Sequence, residues 1–338
     1  MDREGVLTNL QRAIRQAHLE LLEVILRACH EQSSQILGAV DRDLPGDTIF
    51  RLDVIAEPAL LRAFEPVAKI APMVLVAEGL PEGRVVLPEG ASESEVPWWV
   101  IVDPIDGTRG IIYQKRSAWI LTAVAPNRGR DTRLREVLLA VQTEIPTLKQ
   151  YLFDQLWWVE GKGVSALRYN RLTGVAEGFV PRPSTAQTIW QGYAMLSRFF
   201  PGARDIIAAV EERLIRELLG DNPAGKALCF EDQYASTGGQ FYELAVGHDR
   251  FNGDIRPLLA EELRRRGQPL GLCCHPYDVC TAAIPQALGV ILTDPWGDPL
   301  DCPLDLESNV AWIGYANEAL YRQIRPVLER LLREFGLI

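Results

Sequence analysis

The chain reads as a layered α+β sandwich built from two packed halves. Three observations predict it. Short apolar runs suited to strands are followed by amphipathic helical segments in both halves. Hydrophobic residues make up 47% of the 338 positions, enough for a large core. The length also exceeds the roughly 250–300 residues at which a single core stops growing.

Leu7, Leu10, Ile14, Ala17, Leu21, Ile25 and Ala28 recur at steps of three and four, which predicts a long first helix. A polar turn follows at 41–47, around Pro45 and Gly46, and 55–64 is again helical. The apolar runs 73–77 and 98–102 predict buried strands, and 81–97 an exposed hairpin or loop. Strands are expected near 117–124, 137–143 and 155–159. Residues 203–219, 234–246, 278–287 and 318–335 read as helices, with short strands at 290–292 and 310–313. The seam is placed in 161–183, giving an N-terminal half of residues 1–170 and a C-terminal half of 171–338.

The net charge of −10 argues against unspecific nucleic-acid binding, but not against an anionic substrate, because a divalent cation inverts the local field. Six cysteines lack the pattern of a stapled secreted module. Cys273, Cys274, His275 and Cys280 invite a zinc reading, yet no Cys-x-x-Cys pair supports it, and reduced thiols are expected. The charged N-terminus does not read as a signal sequence, and no apolar run of about 18 residues predicts a membrane span. A cytoplasmic protein is expected.

The chemistry concentrates where the strand at 98–102 ends in Asp103-Pro104-Ile105-Asp106-Gly107-Thr108. Carboxylates at a strand's end face the crevice where α/β sheets bind ligands. Two of them side by side require a partner, and Mg²⁺ takes oxygen ligands while leaving room for a substrate phosphate. Gly107 and Thr108 then offer backbone amides and a hydroxyl to an anion. Two ordinary turns, Asp-Pro and Asp-Gly, are the simpler alternative. Gly220-Asp221-Asn222-Pro223-Ala224-Gly225-Lys226-Ala227 nearly matches a nucleotide-binding loop, but Ala227 stands where Ser or Thr must hold Mg²⁺, and a helix precedes the glycine.

The six-residue motif resembles the signature of the inositol monophosphatase family, within the wider group that includes the fructose bisphosphatases. Tyr277-Asp278-Val279-Cys280-Thr281-Ala282-Ala283 is similar to its second motif, Ala77-Glu78-Gly79 to its upstream acidic element, Asp53 to an earlier acidic position, and Ala316-Asn317 to its last strand-to-helix junction. The resemblance implies a layered αβαβα sandwich and a phosphomonoesterase requiring two or three Mg²⁺ ions. Glu78, Asp103, Asp106, Asp278, Asp53 and the Ile105 carbonyl would be metal ligands. Glu78, Thr108 and Asp106 would be catalytic, with Thr108 and Glu78 orienting the attacking water. Gly107 and Thr108 would bind phosphate, and Asp106, Gly239 and Asp254 the substrate. The implied partner is a small phosphorylated metabolite such as inositol monophosphate, with a homodimer as one expected assembly. Alternatives are 3′-phosphoadenosine 5′-phosphate, a sugar bisphosphate, or an idle relative that binds metal or phosphate.

The chain departs from the family pattern in several places. Gly79 replaces a second glutamate, Phe50 replaces a threonine, and Pro285 falls inside the helix expected from Asp278. Arg256, Arg264, Arg265 and Arg266 occupy an insertion and are expected on a solvated face, with a second substrate phosphate as the alternative. Asp232 and Gln233 could reach a hydroxylated substrate or serve as caps.

Overall fold

The computed structural model describes residues 2–44, 47–220 and 226–338. Helix α1 (Arg3–Glu31) is capped by Asp2, whose carboxylate accepts the Gly5 amide at 2.9 Å, and buries the stripe from Leu7 to Ala28. After α2 (Ser34–Leu37), strands β1 (Val40–Leu44) and β2 (Asp47–Phe50) pair as an antiparallel hairpin where a polar turn was expected. Pro45 and Gly46, the centre of that expected turn, lie outside the described residues. Helix α3 (Arg51–Ile70) follows and packs against α1.

The first sheet collects β3 (Met73–Ala77), β4 (Arg84–Leu87), β5 (Trp98–Asp106), β6 (Ala118–Pro126), β7 (Leu139–Ile145), β8 (Leu152–Val159), β9 (Gly163–Asn170) and β10 (Ala176–Phe179). Helix α4 (Thr108–Ile112) leads from β5 toward β6. The strand order is β10-β9-β8-β7-β6-β5-β3-β4, parallel only between β3 and β5. The run at 98–102 is apolar without interruption because both faces of its strand are covered. Trp98, Val100 and Val102 pack with α1 and α3, while Trp99 and Ile101 pack with the C-terminal half. The pairing of β10 with β9 carries this sheet to Phe179, past residue 170.

The second half contains β11 (Gly192–Leu196), α5 (Arg204–Leu219), β12 (Cys229–Phe230), α6 (Thr237–Ala245), β13 (Asp249–Asp254), α7 (Ala260–Arg265), α8 (Pro276–Val279), α9 (Ala283–Ala287), β14 (Ile291–Thr293), β15 (Trp312–Tyr315) and α10 (Glu318–Glu334). Its sheet runs β12-β11-β13-β15-β14. Helices α6, α8 and α9 lie between the two sheets, and α5 and α10 close the outer face, which completes an αβαβα sandwich. The helix expected over 278–287 is two short helices, α8 and α9. Pro285 sits third in α9, where an amide needs no intrahelical acceptor, so no helix is broken there. Of the nucleotide-loop lookalike, residues 221–225 lie outside the described residues; Gly220 caps α5 at positive φ. No helix among the described residues is long and apolar enough to cross a membrane.

One buried polar knot ties α1 to the first sheet. The two ring nitrogens of His18 bond to Thr143 (2.9 Å) and Thr122 (2.7 Å), one donating and one accepting, with no exposure to water. Burial pushes its pKa down from 6.5 to about 3, so the folded protein refuses a proton that the unfolded chain binds below pH 6.5. Stability from this residue is therefore complete above pH 6.5 and is lost as pH falls toward 3. At pH 5 the loss is about 2 kcal/mol. Urea unfolding of His18→Gln should show a drop between pH 7 and pH 5 smaller by that amount, whatever its stability at pH 7. An undiminished drop would clear His18 of that role.

Candidate active site

Strand β5 delivers the first two carboxylates. Residues three apart on a regular strand point to opposite faces. The β5–β6 ladder shifts register between Asp103 and Asp106, at the proline that cannot donate to it, and this brings both side chains to one side. Gly107 then turns the chain into α4 at φ 95°, and a Cβ there would stand 3.0 Å from that of Ser236. The glycine is required on both counts.

Asp278 arrives from the other half, as the third residue of α8, with its Oδ2 accepting the His275 amide at 2.6 Å. One carboxylate oxygen each from Asp103, Asp106 and Asp278 lie within 4.8 Å of one another. Burial pushes the pKa of Asp103 well up, and the neighbouring charges of Asp106, Asp278 and Glu78 add to the effect. Asp278 rises for the same reasons, burial first and then Asp106. Asp106 reaches only about 6, because burial is opposed by hydrogen bonds from Ser236 and the first amides of α6. Its Oδ2 accepts the Ser236 hydroxyl at 2.8 Å and the Gly238 amide at 2.6 Å, at the positive end of the α6 dipole. Three converging, mutually repelling oxygen donors fit a hard divalent cation. Asp103, Asp106 and Asp278 would hold it, with Glu78 and the Ile105 carbonyl beside them.

Glu78 stands outside the tightest cluster but lines the same cavity, where Tyr277 donates its hydroxyl to Oε1 at 2.6 Å. The Thr108 hydroxyl lies 2.9 Å from Asp53 Oδ1 and 2.8 Å from the Ile105 carbonyl, so its one proton is shared between them. Asp53 is further fixed by the Phe50 amide, 2.8 Å from Oδ2, at the start of α3. Gly107 and Thr108 also line the cavity and open α4, whose first amides lack intrahelical acceptors.

The substrate side differs from the expectation. Neither Asp254 nor Gly239 lines the cavity of about 110 Å³. Asp254 is fully buried and grips Arg256, whose Nε lies 2.9 and 3.0 Å from its two oxygens. The Gly239 amide donates to Ser236 Oγ at 2.9 Å, so it braces Asp106 instead of a substrate. The arginines divide as well. Arg264 and Arg265 are exposed on α7 and pair with Glu261, and Arg266 at its C-cap pairs with Asp205, whereas Arg256 is buried against the cavity. Asp232 pairs with Arg116, and Gln233 accepts the Arg198 amide at 2.8 Å.

Two residues, Glu57 and Arg109, were missed by sequence reasoning, and the role of Ser236 as a brace for Asp106 was not foreseen. Ser236 sits at the α6 N-cap, a signal readable from Ser followed by a helical stretch. Glu57 follows Asp53 by four residues, hence shares its helix face, and lines the cavity too. It occupies the space beside Gly79, where a Cβ would meet its Cγ and Cδ at 2.6 Å, and it pairs with Arg42. Arg109 lines the cavity directly after the motif. Because like charges burden this site when no cation is bound, Asp103→Asn should raise the melting temperature in chelator by about 2 °C or more. The same change should abolish the rise that Mg²⁺ produces in the unaltered protein. A lower melting temperature with the Mg²⁺ response intact would separate Asp103 from metal binding.

No family model matches the sequence, and no curated protein matches it. Solved structures do. The holo form of fructose-1,6-bisphosphatase from Leishmania major superposes with a TM-score of 0.68 at 15% identity, over 98% of this chain and 96% of that one. An IMPase from Thermotoga maritima gives 0.59 at 16% identity, over 99% and 100%. The extragenic suppressor protein suhB from Bartonella henselae gives 0.61 at 15% identity, over 96% and 98%. From end to end, the chain has the layered fold of the inositol monophosphatases and fructose-1,6-bisphosphatases.

Proposed function

We propose that the chain is a Mg²⁺-dependent phosphomonoesterase of the inositol monophosphatase superfamily, acting on a small sugar or polyol phosphate such as inositol monophosphate. The observation that carries the reading is the meeting of Asp103, Asp106 and Asp278 within 4.8 Å, on a fold shared with phosphatases. Divalent cations, when bound, supply Lewis acidity toward phosphoryl oxygens and ease deprotonation of water.

The chain's own residues do the rest. Thr108, donating to Asp53, turns its oxygen lone pairs to a water molecule and aligns it; the water proton passes to Thr108 as the Thr108 proton passes to Asp53. Glu78, steadied by Tyr277, is a second acceptor for that water. The water oxygen bonds to phosphorus as the ester P–O bond breaks, and the departing alkoxide takes a proton from solvent. No covalent enzyme intermediate is involved. Asp106, braced by Ser236 and α6, keeps its carboxylate fixed at the reacting centre. The amides of Gly107 and Thr108 receive the phosphate.

A phosphate-release assay over a set of phosphate monoesters tests the reading. Mg²⁺ should be required, chelator should abolish release, and Li⁺ or excess Ca²⁺ should inhibit. Thr108→Ala should lower kcat by about a hundredfold or more with Mg²⁺ binding retained. Full activity in chelator would overturn the mechanism. Mg²⁺ binding with no release from any ester would favour the idle relative.

A further inference from the structure

The cavity is unbalanced in charge. Asp53, Glu57, Glu78, Asp103, Asp106 and Asp278 line it, against two arginines, Arg109 and Arg256. The two arginines are in different states. Arg256 is spent on the protein itself, with Asp254 matching its charge and its Nη1 donating to the Leu272 carbonyl at 2.7 Å. Arg109 has no carboxylate within ion-pair distance among the described residues. Its guanidinium lies over two aromatic rings instead, 4.9 Å from the centroid of Phe50 and 5.1 Å from that of Phe200.

That arrangement matters because a guanidinium's N–H donors lie in its plane. Aromatic rings carry no acceptor atom, so Phe50 and Phe200 compete for none of those donors. The edge keeps the fork that binds a phosphate or carboxylate in bidentate fashion. Phe200 also carries the Arg256 guanidinium, 5.2 Å from its centroid, so the buried Asp254–Arg256 pair braces the ring that orients Arg109. Arg109 follows Thr108 immediately, which places this cation beside the reacting centre. A substrate with no anionic group besides the phosphate to be cleaved leaves that fork empty. A second anionic group would otherwise face a wall of carboxylates.

We propose that Arg109 is the specificity-determining residue of this cavity, and that it recognises a second anionic group, phosphate or carboxylate, on a small phosphate ester. The proposal rests on the phosphatase reading of the same site. It transfers to Arg109 a role that the sequence offered to Arg256 and to Arg264, Arg265 and Arg266 as the alternative to a solvated face.

The test compares the full-length protein with Arg109→Ala and Arg109→Lys in Mg²⁺ buffer. The probes are fructose 1,6-bisphosphate, 6-phosphogluconate and inositol 1-phosphate. For Arg109→Ala, the KM of a doubly anionic ester relative to that of inositol 1-phosphate should rise about tenfold to a hundredfold. Arg109→Lys, a point charge without the fork, should fall between. The arm that responds, bisphosphate or phosphorylated acid, identifies the second group. An unchanged ratio for both, whether each KM rises equally or neither moves, would overturn the proposal and leave Arg109 as a structural stack. If the unaltered protein releases phosphate from none of these probes and from no ester of the wider set, the phosphatase reading fails. Where none of these probes is hydrolysed, calorimetric binding of fructose 1,6-bisphosphate and 6-phosphogluconate decides the Arg109 question: loss of affinity for either in Arg109→Ala supports it, and equal affinity for both overturns it.

Discussion

Three carboxylates held within 4.8 Å of one another set the terms for the rest of this molecule. Like charges in a dehydrated site oppose folding unless they are protonated or matched. The fold brings them together all the same, from β5 in one half and α8 in the other, so the site exists only when the halves are packed. The shared core does that packing. Trp99, Ile101 and Trp119 on the first sheet meet Phe241, Phe251 and Trp312 of the second half, all buried. Apolar burial at about 25 cal/mol per Å² is the force that can overrule such local repulsion.

The three charges are not treated alike. Asp106 receives a hydroxyl and a backbone amide from the start of α6, and so ionises more readily than its neighbours. Asp103 and Asp278 each receive one backbone amide and remain the more strained pair. A bound cation would offset the burial and repulsion that raise all three groups, and so favour the ionised form of each. Binding is therefore coupled to proton release, and metal affinity should rise with pH across the range in which these groups titrate.

Much of this was legible in the sequence. The 29-residue helix α1 declared itself through its period, and β3 and β5 through apolar runs that only doubly covered strands tolerate. Asp103 and Asp106 were legible because two acids at the end of a fully apolar strand are costly to bury without a cation to match them, and Asp278 because its segment resembles the family's second motif. Other elements were hidden. Strand β9 has one buried residue, Ala166, and β10 has none, so neither shows the alternation that marks a half-buried strand. Asp254 misled because its partner, Arg256, stands two residues away, and sequence cannot say whether an acid faces a substrate or its own neighbour.

Gly79 illustrates the limit of reading a site letter by letter. As a letter it is a carboxylate lost from the position after Glu78. In space it is the vacancy that admits Glu57, which reaches in from α3 and lines the same cavity as Asp53, one turn away on that helix. At φ 81° the position also favours glycine on backbone grounds. A side chain restored at residue 79 would displace the carboxylate already there and strain the turn that presents Glu78. The Coulomb field in the cavity depends on where charges stand and not on which segment carries them. A carboxylate absent from the motif at residue 79 is thus present in the cavity at residue 57.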